Sequence, residues 1–516
     1  MQTIRRNPTR AGSPAFDTRW CMESLSMVPR HRSEYKRSSS LCCCSMLPLS
    51  SPLLWIIVIS LLQVAGSAVA SEESSTTACA LISKAVSNKS AVFFPGSSEY
   101  GADILHFAVS AEQNSTCSVE PGSTTDVAKI TEILALTRTP FAIKGGGHNL
   151  NPGFSSTPGV QLSMTRFNQI TFHAESQTVD IGSGLIWDDV YAALEPYNVS
   201  VVGGRATGVG VAGLLLGGGY SYQTNQYGLA VDNIAAIELV LPSGEVKTVD
   251  ETDEDLFFAL RGGGNNFGIV TKFTLKTHPQ TAVWGGSLTY DGSQDDAVTA
   301  ALLNYTTNNT DPRTGLQCTY ATAAGQNIAM VNLYYNEPTP PPGIFDAFLA
   351  IPALSSDIST RSLLFPYSQC EYECHSWCSR TLQHHITHGG HSCSHHCYAE
   401  RNNFLQQFLA SDTLELNGYV VEPFIPDQNI HPMNIYYAWL DSSFDEVMLR
   451  TSQASASHLK QVAAANGILG SAMYPNYALF GTPLEDLYGQ NLARLQEIKR
   501  SVDPFNVMGL TGGFKL

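Results

Sequence analysis

The stretch IKGGGHNLNPGFSS, Ile143–Ser156, sets three consecutive glycines between a short apolar strand and a histidine, His148. Three glycines carry an entropic cost, so something must approach there too closely for side chains. A glycine turn at a strand end also lets backbone N–H groups reach phosphate oxygens. A second glycine-rich region runs from Val202 to Gly219. Neither region is a common phosphate motif: GGGHN lacks the Lys-Ser/Thr ending of a P-loop, and no G-x-G-x-x-G heads a βαβ unit. On spacing alone, such clusters are tight turns and a lone histidine is a hydrogen-bonded turn residue. The other reactive constellation lies in 369–400, with Cys370, Cys374, Cys378, Cys393, Cys397 and seven of the fourteen histidines. These ligand types bind zinc, but the spacings match no regular finger. The segment reads better as an anomalous insertion, such as a translated intron, and no metal is expected.

The elements that must position the glycine regions are legible from periodicity. Thr124–Leu136 carries Val127, Ile130 and Leu134 behind a Ser/Thr/Asp start, which predicts a helix. The runs FAIK, VQL and TVDIG predict strands, and a helix follows around Leu185–Leu194. IAAIELVLPSGEVKTVD predicts a hairpin turning at Pro242-Ser243-Gly244. DEDLFFALRG predicts a helix leading into a strand with Ile269, Thr271, Phe273 and Leu275 on one face. From about Thr281 to Gly470, short strands and helices mix. In the tail, Leu484, Tyr488, Leu492, Leu495 and Ile498 predict one helical stripe ended by Asp503-Pro504. Helices and strands without regular βαβ alternation indicate an α+β class.

Composition narrows the function. With 516 residues, 43% of them hydrophobic, the chain can bury a large core in two or three domains. A formal net charge of −16 argues against nucleic acid as a partner. Leu53–Leu62, LLWIIVISLL, is too short for a comfortable membrane span, and the small residues Ala68 and Ala70 fit a signal-peptidase site. The reading is a secreted protein starting near Ser71, with a signal anchor as the alternative. The Arg- and Ser-rich residues 1–45 are unusual for a signal, and a start at Met27 or Met46 gives a more ordinary one. Five Asn-x-Ser/Thr sequons, at Asn88, Asn114, Asn198, Asn304 and Asn308, agree with secretion and a glycoprotein. In an oxidising compartment, Cys79 and Cys117 are the candidate disulfide pair.

The combination says more than either glycine region alone. KGGGHN and PGFSS are followed by GGRATGVGVAGLLLGGGYSYQTNQYGLAVDNI, then ALRGGGNNFGIVTKFTL, then YPNYAL and DPFNVMGLTGGFKL. This order resembles the FAD-linked oxidases of the berberine bridge enzyme-like group, in the vanillyl-alcohol-oxidase/PCMH flavoprotein superfamily. With the signal and extension taken as 1–70, the resemblance implies a helical segment over 71–118 and a PCMH-type FAD-binding domain over 119–280. A substrate domain over 281–470 and a returning FAD-facing segment over 471–516 complete the expected layout.

The resemblance also implies roles. Lys144, Gly145, Gly146, Gly147, Asn149 and Gly153 would belong to the loop wrapping the FAD pyrophosphate, the glycines being there because the dinucleotide lies against them. His148 matches the histidine joined to the flavin 8α-methyl carbon; a neutral imidazole suits that bond. Gly204, Thr207, Gly210, Gly213, Gly217 and Gly218 would continue the cradle, with Asp232, Asn233, Ile269 and Val270 completing it. Ala206 stands where some members carry a second flavin-linking cysteine, so a single link through His148 is expected. Asn476 would face the flavin, and Tyr474 or Tyr477 would help take a substrate proton. A tyrosine with a pKa of about 10 is a poor base at neutral pH, so it needs help, such as an Asp or Glu of the second domain. The implied reaction is hydride transfer from a small organic substrate to FAD, with O2 as acceptor and H2O2 as product. A dehydrogenase with another acceptor, or a binding protein that has lost catalysis, are the rivals. No stable membrane insertion is expected, and the sequence does not fix an oligomeric state.

Overall fold

Four short strands form the first sheet, paired in the order Ala91–Phe93, Cys117–Glu120, Val160–Ser163, Phe141–Lys144. The last three run parallel, and the helix Thr124–Thr137 makes the crossover between two of them. That helix starts where Ser123 accepts the N–H of Asp126, and buries Val127, Ile130 and Leu134, as their spacing predicts. The computed structural model describes residues 73–323, 325–363, 380–388, 414–423, 431–470 and 473–516, all within one compact unit, Leu62–Leu516. The predicted signal peptide and the five cysteines of 369–400 lie outside the described residues. Cys79, on the helix 73–85, is joined to Cys117, closing a sequence separation of 38.

A five-stranded antiparallel sheet follows, in the order Ile170–His173, Thr178–Gly182, Ile269–Lys276, Ile234–Val240, Val246–Asp250. It contains the predicted hairpin. Ile269, Thr271, Phe273 and Leu275 are buried along one face of its central strand. The helix Trp187–Leu194 packs into the same core, with Trp187 fully buried. Each such side chain, once out of water, contributes about 1.5–3 kcal/mol.

The region from 283 to 439 is more regular than its sequence suggests. It forms one seven-stranded sheet, in the order Ser355–Arg361, Val283–Asp291, Gln326–Tyr335, Thr314–Ala323, Leu414–Val421, His431–Trp439, Arg380–His388. All neighbouring strands are antiparallel. Alternation divides the sheet's two faces. Tyr290, Tyr320, Val331, Tyr419 and Ile435 bury in one core with residues of the helices Asp295–Asn308 and Asp445–Ala465. The tail differs from the single predicted stripe: Gly489, at φ +49°, divides it into the helices Leu484–Tyr488 and Leu492–Val502. Among the described residues, no helix is long and apolar enough to cross a membrane.

The two glycine regions touch each other. A Cβ on Gly146 would stand 2.6 Å from the Gly210 nitrogen, and one on Gly210 would stand 2.5 Å from the Gly146 nitrogen. The reading that these glycines yield to an incoming dinucleotide is therefore incomplete: at 146 and 210 the neighbour is the protein's own main chain. Gly210→Ala should lower stability by about 1–3 kcal/mol through overpacking. In cofactor-free protein Gly213→Ala, whose Cβ meets nothing within 4 Å, should leave stability unchanged or raise it by up to about 1 kcal/mol, as expected for Ala over Gly in a helix. Thermal or urea unfolding of the two variants checks the contrast.

Candidate active site

A cavity of about 990 Å³ is walled by both glycine regions, the tail and one face of the seven-stranded sheet. Gly145, Gly146, Gly147, His148 and Asn149 line it, as do Ala206, Thr207, Gly210, Gly213 and Gly217. Ile269, Val270, Tyr474, Asn476 and Tyr477 close further parts of its wall. These fifteen positions, distant in sequence, are brought to one space. Thr207 is fixed by a 2.6 Å hydrogen bond to Asp188, and Asn149 accepts the N–H of Asn151 at 2.8 Å.

Six other sequence-predicted positions do not line the cavity, and each has another task. The Lys144 ammonium donates to the carbonyls of Ala102, Asp103 and Leu105 at 3.0, 2.8 and 2.9 Å, holding the end of the helix Ser98–Ile104. Gly153 bonds Ser156 and packs against Gly512. Gly204 makes room for the Trp187 indole, which a Cβ would approach to 2.6 Å. Gly218 follows the helix Val211–Leu216 and donates to Leu215. Asp232 caps Leu229 and pairs with Arg261 at the surface. Asn233 is buried and bonds Tyr227, Leu229 and His278.

Two features of the glycine half fit a large polar cofactor. Gly213 and Gly262 line the cavity with nothing near their absent side chains, so any Cβ there would enter it. The Ser183 hydroxyl, on a lining residue, is buried without a partner. His148 stacks on Phe107 with ring centroids 4.2 Å apart. Burial lowers its pKa from 6.5 to about 4, with Asp188 opposing part of the fall. The ring is therefore neutral at physiological pH and able to act as a nucleophile.

At the sheet end sits a charged cluster whose residues the sequence left unnamed: it supplies a Glu of the second domain as partner to Tyr477, with Arg205 and Gln317 beside it. Arg205 donates to Glu422 Oε1 at 2.7 Å and to the Tyr477 hydroxyl at 2.9 Å. Tyr477 and Gln317 both donate to the same Glu422 oxygen, each at 3.0 Å. Glu422 Oε2 is buried with no partner. The signal was a lone carboxylate ending an apolar strand, in YVVEP, but nothing local ties it to Arg205, 217 residues away. Burial pushes the Tyr477 hydroxyl well above its ordinary value, and the Glu422 charge adds to the rise while Arg205 opposes it. Tyr474 has a different place: its hydroxyl accepts from Gly219 N, Tyr220 N and Asn476 Nδ2 at 3.0, 3.3 and 2.8 Å. It holds the second glycine region to the tail.

His148 generates a pH prediction. Its pKa is lower in the fold than in the unfolded chain, so the unfolded state takes up a proton first as pH falls. In flavin-free protein this residue's stabilising effect is complete above pH 6.5 and is lost as pH drops toward about 4. NMR titration of the labelled ring should place its midpoint near 4; a midpoint at 6.5 would contradict the packing.

Comparison with known proteins agrees with this architecture. Residues 115–250 match the FAD binding domain family, and 473–511 match the family described as berberine and berberine like. The FAD-dependent monooxygenase sdcF of Emericella nidulans is 30% identical over 485 residues, covering 85% of this chain and 98% of that protein. The FAD-dependent monooxygenase drtC of Aspergillus calidoustus is 38% identical over 294 residues. That match spans 55% of this chain and little more than half, 56%, of drtC. The fold is shared with 6-hydroxy-D-nicotine oxidase of Arthrobacter nicotinovorans, with a TM-score of 0.70 at 20% identity over 83% of this chain and 98% of that one. With the matched segments supplying both the glycine-lined and the tyrosine-bearing walls of the cavity, the chain belongs to the berberine-bridge-enzyme-like family of FAD-linked oxidoreductases.

Proposed function

We propose that the protein is a secreted oxidase that takes a hydride and a proton from a hydroxyl-bearing organic molecule. FAD, when bound, supplies the two-electron acceptor, and O2 is its reoxidant, yielding H2O2. The loop Gly145–Asn149 and the stretch Gly210–Gly217 would hold FAD, with His148 carrying one covalent link through a ring nitrogen. Ala206 offers no thiol for a second. The cavity-lining glycines and the neutral His148 ring support this reading. Secretion is favoured by the Cys79–Cys117 bond and by the exposure of all five sequon asparagines.

The observation that carries the chemistry is the Glu422 carboxylate. One of its oxygens is saturated by Arg205, Tyr477 and Gln317, while the other is buried and unpaired on a cavity-lining residue. A general base must lie within hydrogen-bond reach of the proton it takes. Glu422 Oε2 is that acceptor for the substrate hydroxyl. Arg205 and Tyr477 fix the group's orientation through their hydrogen bonds to Oε1. With its raised pKa, Tyr477 is a positioning residue that takes no proton on its own account.

Glu422→Gln should lower kcat by about 10²–10⁴-fold, the usual contribution of a positioned base, with flavin content unchanged. Oxygen uptake and peroxide release over a panel of alcohols and sugars measure it; full activity in the variant would refute the assignment. In the wild type, acid-precipitated protein should keep its flavin fluorescence. His148→Ala should release the flavin into the supernatant.

A further inference from the structure

Besides Glu422 Oε2, a second buried oxygen on the sheet wall of the cavity has no partner, Oδ1 of Asn434. Asn434 lies directly opposite Val420 in the sheet, and the pairing continues to Glu422, whose N–H donates to Pro432. Glu422 and Asn434 are thus diagonal neighbours on one face, roughly 7–8 Å apart at the backbone. Both orphan atoms are acceptors. A buried acceptor left unpaired is costly, so an occupant gains by bringing a donor to each. Ser287, Thr289, Thr319 and Asn332 add hydroxyl and amide groups to the same wall.

We infer that the substrate carries two hydrogen-bond donors on neighbouring carbons, one held by Glu422 and the other by Asn434. The class is a vicinal diol, polyol or amino alcohol. Asn434 determines specificity by accepting from the O–H or N–H that does not react. This rests on Glu422 as the proton acceptor in the proposed function, and adds the second contact.

The test is a calorimetric binding measurement on the flavin-loaded enzyme kept reduced and free of oxygen, so that no hydride can be accepted, with trans-1,2-cyclohexanediol and cyclohexanol as probes. The wild type should bind the diol about tenfold or more tightly than the mono-ol, the discrimination expected from one hydrogen bond to a buried acceptor. Asn434→Leu should erase that ratio chiefly by weakening the diol. Asn434→Asp keeps the oxygen and should keep the preference, and flavin absorbance shows that each variant is folded. A wild type without preference, or a preference that survives in Asn434→Leu, overturns the inference. Because the ratio is read at equilibrium without turnover, it stands or falls separately from the loss of kcat in Glu422→Gln.

Discussion

The contact between Gly146 and Gly210 is the constraint from which the site follows. Two main chains meet there with no space for a side chain on either, which fixes the separation of the two loops more tightly than any pair of flexible residues would. The loops then diverge, one toward His148 and the other toward the helix Val211–Leu216, and the cavity opens where they part. Glycine is therefore asked for twice, for different reasons. At 146 and 210 it permits the protein to approach itself; at 213 it leaves space for something else.

Against that rigid half the sheet presents a buried charge. Removing Arg205 and Glu422 from water carries a large desolvation cost, which the pair recovers only through close hydrogen bonds. Arg205 is 8% exposed and Glu422 2%, and three donors crowd onto a single carboxylate oxygen. The arrangement leaves the other oxygen unmatched, a local departure from good packing of the kind that clusters at functional sites. Arg205 also lies over the Tyr222 ring at 5.8 Å, so the guanidinium is held from two sides while its partner keeps one acceptor in reserve.

Local features were legible in the sequence because local forces produce them. The helix at Thr124, the hairpin turning at Pro242-Ser243-Gly244 and the buried face of Ile269–Lys276 each follow from spacing and turn chemistry within about ten residues. The family resemblance carried the cavity-lining glycines, His148 and the tail tyrosines. What stayed hidden depends on distant partners. Lys144 looks like part of the glycine loop but belongs to the end of an earlier helix, and Gly204 serves an indole seventeen positions upstream. Glu422 acquires meaning only when the strand Leu414–Val421 is set beside Thr314–Ala323, which brings Gln317 to it, and when Arg205 arrives from the other half.

Asn151 joins two otherwise unrelated pieces of chain. Its amide donates to the Ala478 carbonyl and accepts the Phe480 N–H, both at 2.9 Å. The stretch bearing His148 is thereby riveted to the stretch bearing Tyr477, one near the start of the fold and the other near its finish. His148 stands three residues before Asn151, and Tyr477 directly precedes the anchored Ala478. One side-chain amide thus gauges the spacing between imidazole and phenol from opposite ends of the polypeptide.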